Sequence, residues 1–94
     1  MKNNNFAKFM ESYLVGIAQR TGKSKTDIMN ESGISRQMIY RWMQKGIFPK
    51  PINLYKFFYN TTTDRSQEML RSYISQAYQE LLIDFYDRKE QTFC

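Results

Sequence analysis

The sequence predicts an all-α fold of about four helices followed by one long C-terminal helix. Apolar residues recur at three- and four-residue spacing, which places them on one helix face. Ser and Asp stand where helix N-caps are expected, and glycine or proline separates the successive patterns. A chain of 94 residues suffices for one compact domain with an appendage. We expect the domain in residues 1–60 and the additional helix in residues 61–94.

The first two helices are predicted from their ends. The first spans Phe6–Thr21 and stops before Gly22, since glycine readily adopts the left-handed position after a helix. Ser24 followed three residues later by Asp27 resembles a capping box and predicts a two-turn helix, Lys25–Ser32. The apolar stripe of the first helix is Phe6, Phe9, Met10, Tyr13, Leu14, Ile17 and Ala18.

A third helix is predicted after a sharp turn. Gly33 is expected to break the second helix, and Ile34 is expected to point inward. Ser35 can cap the helix Arg36–Lys45 by accepting a hydrogen bond from a backbone N–H two or three residues later. Gly46 is expected to end this helix. Its buried stripe is predicted to be Ile39, Trp42 and Met43.

The fourth element has two possible structures. Pro51 suits the first turn of a helix over Ile52–Asn60. The aromatic residues of this segment are also good strand formers, so a hairpin is the alternative. These aromatic residues are Tyr55, Phe57, Phe58 and Tyr59.

The final helix is predicted to be long. Asp64 with Gln67 can cap it, and its apolar pattern reaches about Lys89. Its length would be roughly 37 Å, more than a small four-helix domain can cover. Part of its stripe therefore needs a further partner. That stripe can fold back on the domain, pair with a second chain or receive another protein.

Composition excludes several classes of function. The formal charge of +5 favours a polyanion such as nucleic acid. There is no histidine, and the single cysteine, Cys94, permits neither an intramolecular disulfide nor a cysteine metal cluster. No apolar run approaches the roughly 20 residues needed to cross a bilayer. We expect a cytoplasmic protein that is not an enzyme and has no cofactor, metal, small-molecule substrate or membrane partner.

The segment KTDIMNESGISRQMIYRW indicates a short helix, a glycine turn and a second helix that packs through Ile39 and Trp42. With RTGKSKTDI before it and KGIFPKP after it, this segment resembles the Cro/repressor-type (Xre-like) helix-turn-helix DNA-binding family of phages and bacteria. The resemblance covers Phe6–Asn60. It departs from the family at Met29, usually alanine, and at Ser32, usually a large apolar residue. Met29 can fill the space that Ser32 vacates.

The resemblance implies that Ser35–Lys45 is the recognition helix. Its base-reading positions fall on Arg36, Gln37, Met38 and Arg41, with Tyr40 on the flank. Arginine can fork onto guanine O6 and N7, glutamine can pair with adenine, and methionine can touch a thymine methyl. Expected contacts to DNA phosphates come from Lys23, Lys25, Ser35, Gln44, Lys45 and Lys50.

The function expected from this resemblance is a phage or mobile-element repressor, or Cro-like transcriptional regulator, acting on double-stranded DNA. Operators with two half-sites favour a homodimer. The final helix is the candidate contact for a second copy or another regulatory protein, through Leu70, Tyr73, Ile74, Ala77, Leu81 and Phe85.

Two other functions remain open. GISRQMIYRWMQKGIFPKP also resembles the DNA-binding segment of small phage excisionases, which follow it with a β-hairpin wing. Alternatively, the helix-turn-helix is the scaffold of a protein-binding antirepressor, because a fold does not fix a function.

Overall fold

The protein forms five α-helices. A computed structural model describes residues 4–45 and 47–93, with side-chain surroundings through residue 86. Within these residues there is no strand, which confirms the all-α class with a long C-terminal helix. Gly46, the expected end of the third helix, and Cys94 lie outside the described residues. The helices are α1 (Asn5–Thr21), α2 (Lys25–Glu31), α3 (Arg36–Gln44), α4 (Pro51–Thr61) and α5 (Gln67–Phe93).

The predicted C-terminal end of α1 and the predicted N-caps of α2 and α3 are confirmed, whereas α2 and α3 each end one residue earlier than predicted, at Glu31 and Gln44. Gly22 adopts the left-handed conformation with φ 76°, and its N–H donates to the carbonyl of Ala18 at 2.8 Å. The Ser24 hydroxyl accepts the N–H of Asp27 at 3.1 Å. The equivalent bond at the start of α3 joins the Ser35 hydroxyl to the N–H of Met38 at 3.2 Å. Each of these groups lies within four residues of its partner, so the local sequence specifies them.

α4 is helical, so the hairpin alternative is wrong. Pro51 lies in its first turn, where a missing N–H costs nothing. The helix form is favoured because it gathers one apolar face toward the core, which an alternating strand would split between two faces. This face consists of Leu54, Phe57, Phe58 and Thr61.

The predicted cap of α5 is wrong by two residues. The Ser66 hydroxyl accepts the N–H of Met69 at 3.3 Å, so Ser66 is the N-cap. Asp64 instead accepts the N–H of Ser66 at 2.9 Å and shapes the turn before the helix. Gln67 is the first helical residue, and a side chain at Asp64 lies too early to serve the first turn.

α5 packs on α1 and α4 and shares their core. The Tyr13 ring of α1 makes edge contacts with Phe58 of α4, at 5.0 Å between centroids, and with Tyr73 of α5, at 5.1 Å. The Tyr13 hydroxyl also shares a buried 2.8 Å hydrogen bond with Thr61. The stripe of α5 therefore folds back on the domain over much of its described length. None of the described helices is both long and apolar enough to cross a membrane.

Asp84 joins the far part of α5 to the start of α1. Its two carboxylate oxygens accept the N–H groups of Asn5, at 2.8 Å, and Phe6, at 3.0 Å. Asn4, the residue at the N-cap of α1, makes no side-chain cap of its own. α5 thus supplies the cap that α1 lacks, and the carboxylate also suits the positive end of the helix dipole.

Candidate nucleic-acid interface

The turn between α2 and α3 is fixed by a buried serine. Ser32 is fully buried, and its hydroxyl donates to the carbonyl of Met29 at 2.6 Å while accepting the N–H of Ile34 at 3.1 Å. Gly33 follows with φ 78°, in the region that favours glycine. Met29 packs half-buried against the core. The hydrogen bonds of Ser32 thus stabilise the turn, which a large apolar residue at this position would stabilise by packing.

α4 supports this turn from the side. The Asn60 amide donates to the Ser32 carbonyl at 2.9 Å. A Cβ at Gly33 would lie 2.9 Å from Cε of Lys56 and 3.3 Å from the Asn60 amide nitrogen. The sequence alone does not single out Asn60 or Lys56, because neither differs in it from an ordinary exposed polar residue of a helix.

α3 is anchored through one face. Ile39 and Trp42 are its buried residues, and Trp42 meets Phe57 of α4 edge to face with 6.5 Å between ring centroids. Ile34, just before the helix, is also buried, as predicted. The face opposite this anchor is therefore available to a ligand.

The five predicted base-reading residues all lie on exposed parts of α3. Tyr40 and Met38 are 49% and 37% exposed, high values for large side chains on a short helix. Arg36 and Met38 lie toward its start, where Met38 Sδ is 3.9 Å from the amide nitrogen of Asn53 in the first turn of α4. A shallow depression toward the C-terminal end is lined by Gln37, Tyr40, Arg41, Gln44 and Lys45. The structure thus brings three predicted base-reading residues together with two predicted phosphate-binding residues.

Three of the candidates for phosphate contacts lie at the ends of α3 and α4. Ser35 is the N-cap of α3, and although its oxygen accepts a backbone N–H, its own hydrogen can still be donated. Lys45 is the C-cap residue of α3, and Lys50 precedes α4 at its N-cap.

Lys23 and Lys25 have acidic neighbours. The Lys23 ammonium lies 2.9 Å from the Glu31 carboxylate, and Lys25 forms an ion pair with Glu11. All four side chains are about half exposed, so each pair is weak. The carboxylates nevertheless lower the local positive potential that a phosphate would meet at these two lysines.

The candidate contact residues on α5 divide into three groups by exposure. Leu70, Ala77 and Leu81 are at most 2% exposed, which corrects their assignment to an intermolecular contact, because they fill the chain's own core. Tyr73 and Ile74 are half-buried against the same core. Phe85 is 44% exposed and meets the exposed Phe48 ring edge to face at 6.1 Å. Phe85 alone among the six is substantially exposed.

The connector between α3 and α4 is attached to α5. The Tyr78 hydroxyl donates to the carbonyl of Pro49 at 2.7 Å, and burial raises the pKa of Tyr78. Burial also raises the pKa of Tyr13, an effect that its hydrogen bond with Thr61 partly offsets. Both hydroxyls are therefore neutral at physiological pH and serve the fold.

These features define a helix-turn-helix domain extended by a long C-terminal helix. Residues 24–56, about a third of the chain, match the family model described as prophage CP4-57 regulatory protein (AlpA). The match runs from the N-cap of α2 into α4 and so contains the turn and α3. It indicates a phage-related regulatory family and does not single out the Cro/repressor type. No curated protein and no solved structure matches the chain.

Proposed function

We propose that the protein is a sequence-specific, double-stranded DNA-binding transcriptional regulator of a phage or prophage, with α3 as the recognition helix. The observation that supports this most strongly is the division of α3 into an anchored face and an exposed face. Ile39 and Trp42 are buried, whereas Arg36, Gln37 and Arg41 are exposed. The match of this segment to a prophage regulatory family agrees with the proposal.

The exposed residues suit the chemistry of the major groove. Arg36 and Arg41 each offer a planar fork of donors for guanine O6 and N7, and Gln37 can pair with adenine N6 and N7. Each such bidentate pair would contribute about 1–3 kcal/mol of discrimination between bases. Met38 and Tyr40 add apolar surface for a thymine methyl. Ser35, Gln44, Lys45 and Lys50, with Lys23 and Lys25 as weaker candidates, would contact phosphates and set the register.

In this proposal the protein acts in the cytoplasm as a repressor or Cro-like switch by occupying an operator. A homodimer would place two α3 helices about 34 Å apart, which matches half-sites one helical turn apart. Leu70, Ala77 and Leu81 are buried in the chain's own core. The proposed dimer contact is therefore formed by the exposed pair Phe48 and Phe85. Sedimentation of wild-type protein and Phe85→Ser tests this contact: the variant should become monomeric, and unchanged association would reject it.

The excisionase-like alternative loses its main structural support. That family places a β-hairpin wing after the recognition segment, whereas residues 51–61 here form α4. The helix-turn-helix as a scaffold for protein contact remains the competing proposal, and DNA binding by the exposed face of α3 distinguishes the two.

The experiment is a salt-titrated binding assay on duplexes selected from a random pool and on unselected duplexes. The wild type should prefer the selected duplexes, and Arg36→Ala/Arg41→Ala should abolish the preference. The control Arg20→Ala/Arg71→Ala removes the same charge from exposed positions on α1 and α5 and should keep it. If wild-type protein shows no preference, or if both double variants behave alike, the proposal is rejected.

A further inference from the structure

Lys56 of α4 extends across the turn that leads into α3. A Cβ built at Gly33 would lie 2.9 Å from Lys56 Cε and 3.6 Å from its ammonium nitrogen. The lysine stem therefore lies over bare glycine backbone. The hydrogen bond from Asn60 to Ser32 holds α4 against the segment before α3. Lys56 lies one helical turn before Asn60 on α4 and is therefore close to the same segment.

The charge of Lys56 is well placed for an anion. Gly33 is two residues before the N-cap Ser35, so the ammonium lies close to the start of α3. Among the side chains described, from residue 4 to 86 without residue 46, ion pairs join Lys23 to Glu31 and Lys25 to Glu11, and none involves Lys56. Glu31, the nearest acidic residue in sequence to Gly33, is thus paired with a different lysine.

We propose that Lys56 binds a phosphate of the DNA backbone beside the first turn of α3. This inference rests on the proposed function, with α3 in the major groove. The groove is about 12 Å wide, close to the diameter of a helix with its side chains, so the sugar–phosphate backbone must pass beside the inserted helix. A lysine ammonium is a compact point charge that suits this contact. Lys56 then sets affinity and register without reading sequence.

Gly33 then has a second role beside Lys56. Its positive φ permits the turn, and its lack of a side chain leaves room for the Lys56 stem. A side chain at this position would push the ammonium away from the turn. Lys56 is exposed, so its ammonium can reach a phosphate beside the turn.

The test is the dependence of DNA affinity on salt for Lys56→Gln. Loss of one phosphate contact should reduce the slope of log K against log salt by about 0.9. At 0.15 M salt this corresponds to about fivefold weaker binding. The loss should be equal on selected and unselected duplexes. Lys8→Gln, which removes an exposed lysine of α1, should keep the wild-type slope, and Lys56→Arg should restore it.

The outcomes separate this inference from the proposed function. If Lys56→Gln keeps the wild-type slope while binding still depends on Arg36 and Arg41, Lys56 is not a phosphate contact and the proposed function stands. If wild-type protein binds no duplex, the proposed function fails and this inference fails with it. The midpoint of thermal unfolding should be the same for Lys56→Gln and the wild type. If Lys56→Gln has a lower midpoint and Lys56→Arg also loses DNA binding, Lys56 stabilises the fold and does not bind a phosphate.

Discussion

The side-chain amide of Asn60 donates a 2.9 Å hydrogen bond to the carbonyl oxygen of Ser32. This bond joins α4 to the turn before α3 across 28 positions of sequence. The orientation of the proposed recognition helix therefore depends on α4 as well as on α2. Trp42 against Phe57 provides the apolar counterpart of the same connection.

Replacement of Asn60 by alanine should destabilise the fold. Asn60→Ala leaves the Ser32 carbonyl without this donor, at a cost of about 1–2 kcal/mol in the free energy of unfolding. The melting temperature should fall by roughly 4–8 °C for each kcal/mol. Asn30→Ala, at an exposed position of α2, is the control, because it makes the same gain in helix propensity and keeps the bond between Asn60 and Ser32. Equal melting temperatures for the two variants would contradict the account.

The two left-handed glycines form a natural comparison. Gly22 and Gly33 have φ values of 76° and 78°, so alanine at either should cost about 1–2 kcal/mol of stability. A Cβ at Gly22 meets nothing within 4 Å, whereas at Gly33 it meets Lys56. Only Gly33→Ala should therefore also lower the salt slope of DNA binding. A similar change of slope in Gly22→Ala would contradict the role given to Lys56.

Removal of the Asp84 carboxylate should weaken the join between α1 and α5. Asp84→Ala deletes two charge-assisted hydrogen bonds to Asn5 and Phe6 and should reduce the free energy of unfolding by about 2–3 kcal/mol. Chemical denaturation measures this loss. Asp84→Asn keeps one acceptor and should lose less, and Glu80→Ala on the same helix serves as control. If Asp84→Ala is as stable as the control, the carboxylate does not cap α1.

Raising the pH above 10 should lower the stability of the fold through the buried Tyr13 hydroxyl. Its pKa is raised above the ordinary value of 10.0, chiefly by burial. The unfolded state then loses its proton first, so the stability associated with neutral Tyr13 is full below pH 10 and falls as pH rises through the higher folded pKa. Tyr13→Phe loses the bond to Thr61, about 1 kcal/mol at neutral pH. The stability difference between wild type and Tyr13→Phe should shrink above pH 10, and a difference independent of pH would contradict this.

The features that sequence predicted are those specified by near neighbours. The caps Ser24 and Ser35 and the glycine Gly22 act within four residues, and the 3.6-residue period identified Ile39 and Trp42 as core. The exposed positions of α3 follow from the same period. Asp64 failed as a cap because Asp64 and Ser66, two positions apart in the same turn, can both cap a helix, and the local pattern does not choose between them.

The features that sequence missed depend on contacts between distant residues. Asp84 caps a helix that begins 79 positions earlier in the chain, and Asn60 supports a turn from a separate helix. Leu70 and Leu81 belong to an apolar stripe whose period fits an intramolecular and an intermolecular partner equally well. Their burial is decided by how α5 packs on α1 and α4, which no local pattern specifies.

The central claim is that arginines of α3 read bases in the major groove. Its most direct test is a double-mutant cycle that pairs Arg36→Ala or Arg41→Ala with replacement of single guanines in a selected duplex by 7-deazaguanine, which lacks the N7 acceptor. The account predicts that each arginine couples to a guanine by about 1–3 kcal/mol. If neither arginine shows coupling at any guanine of the site, α3 does not read sequence in this way.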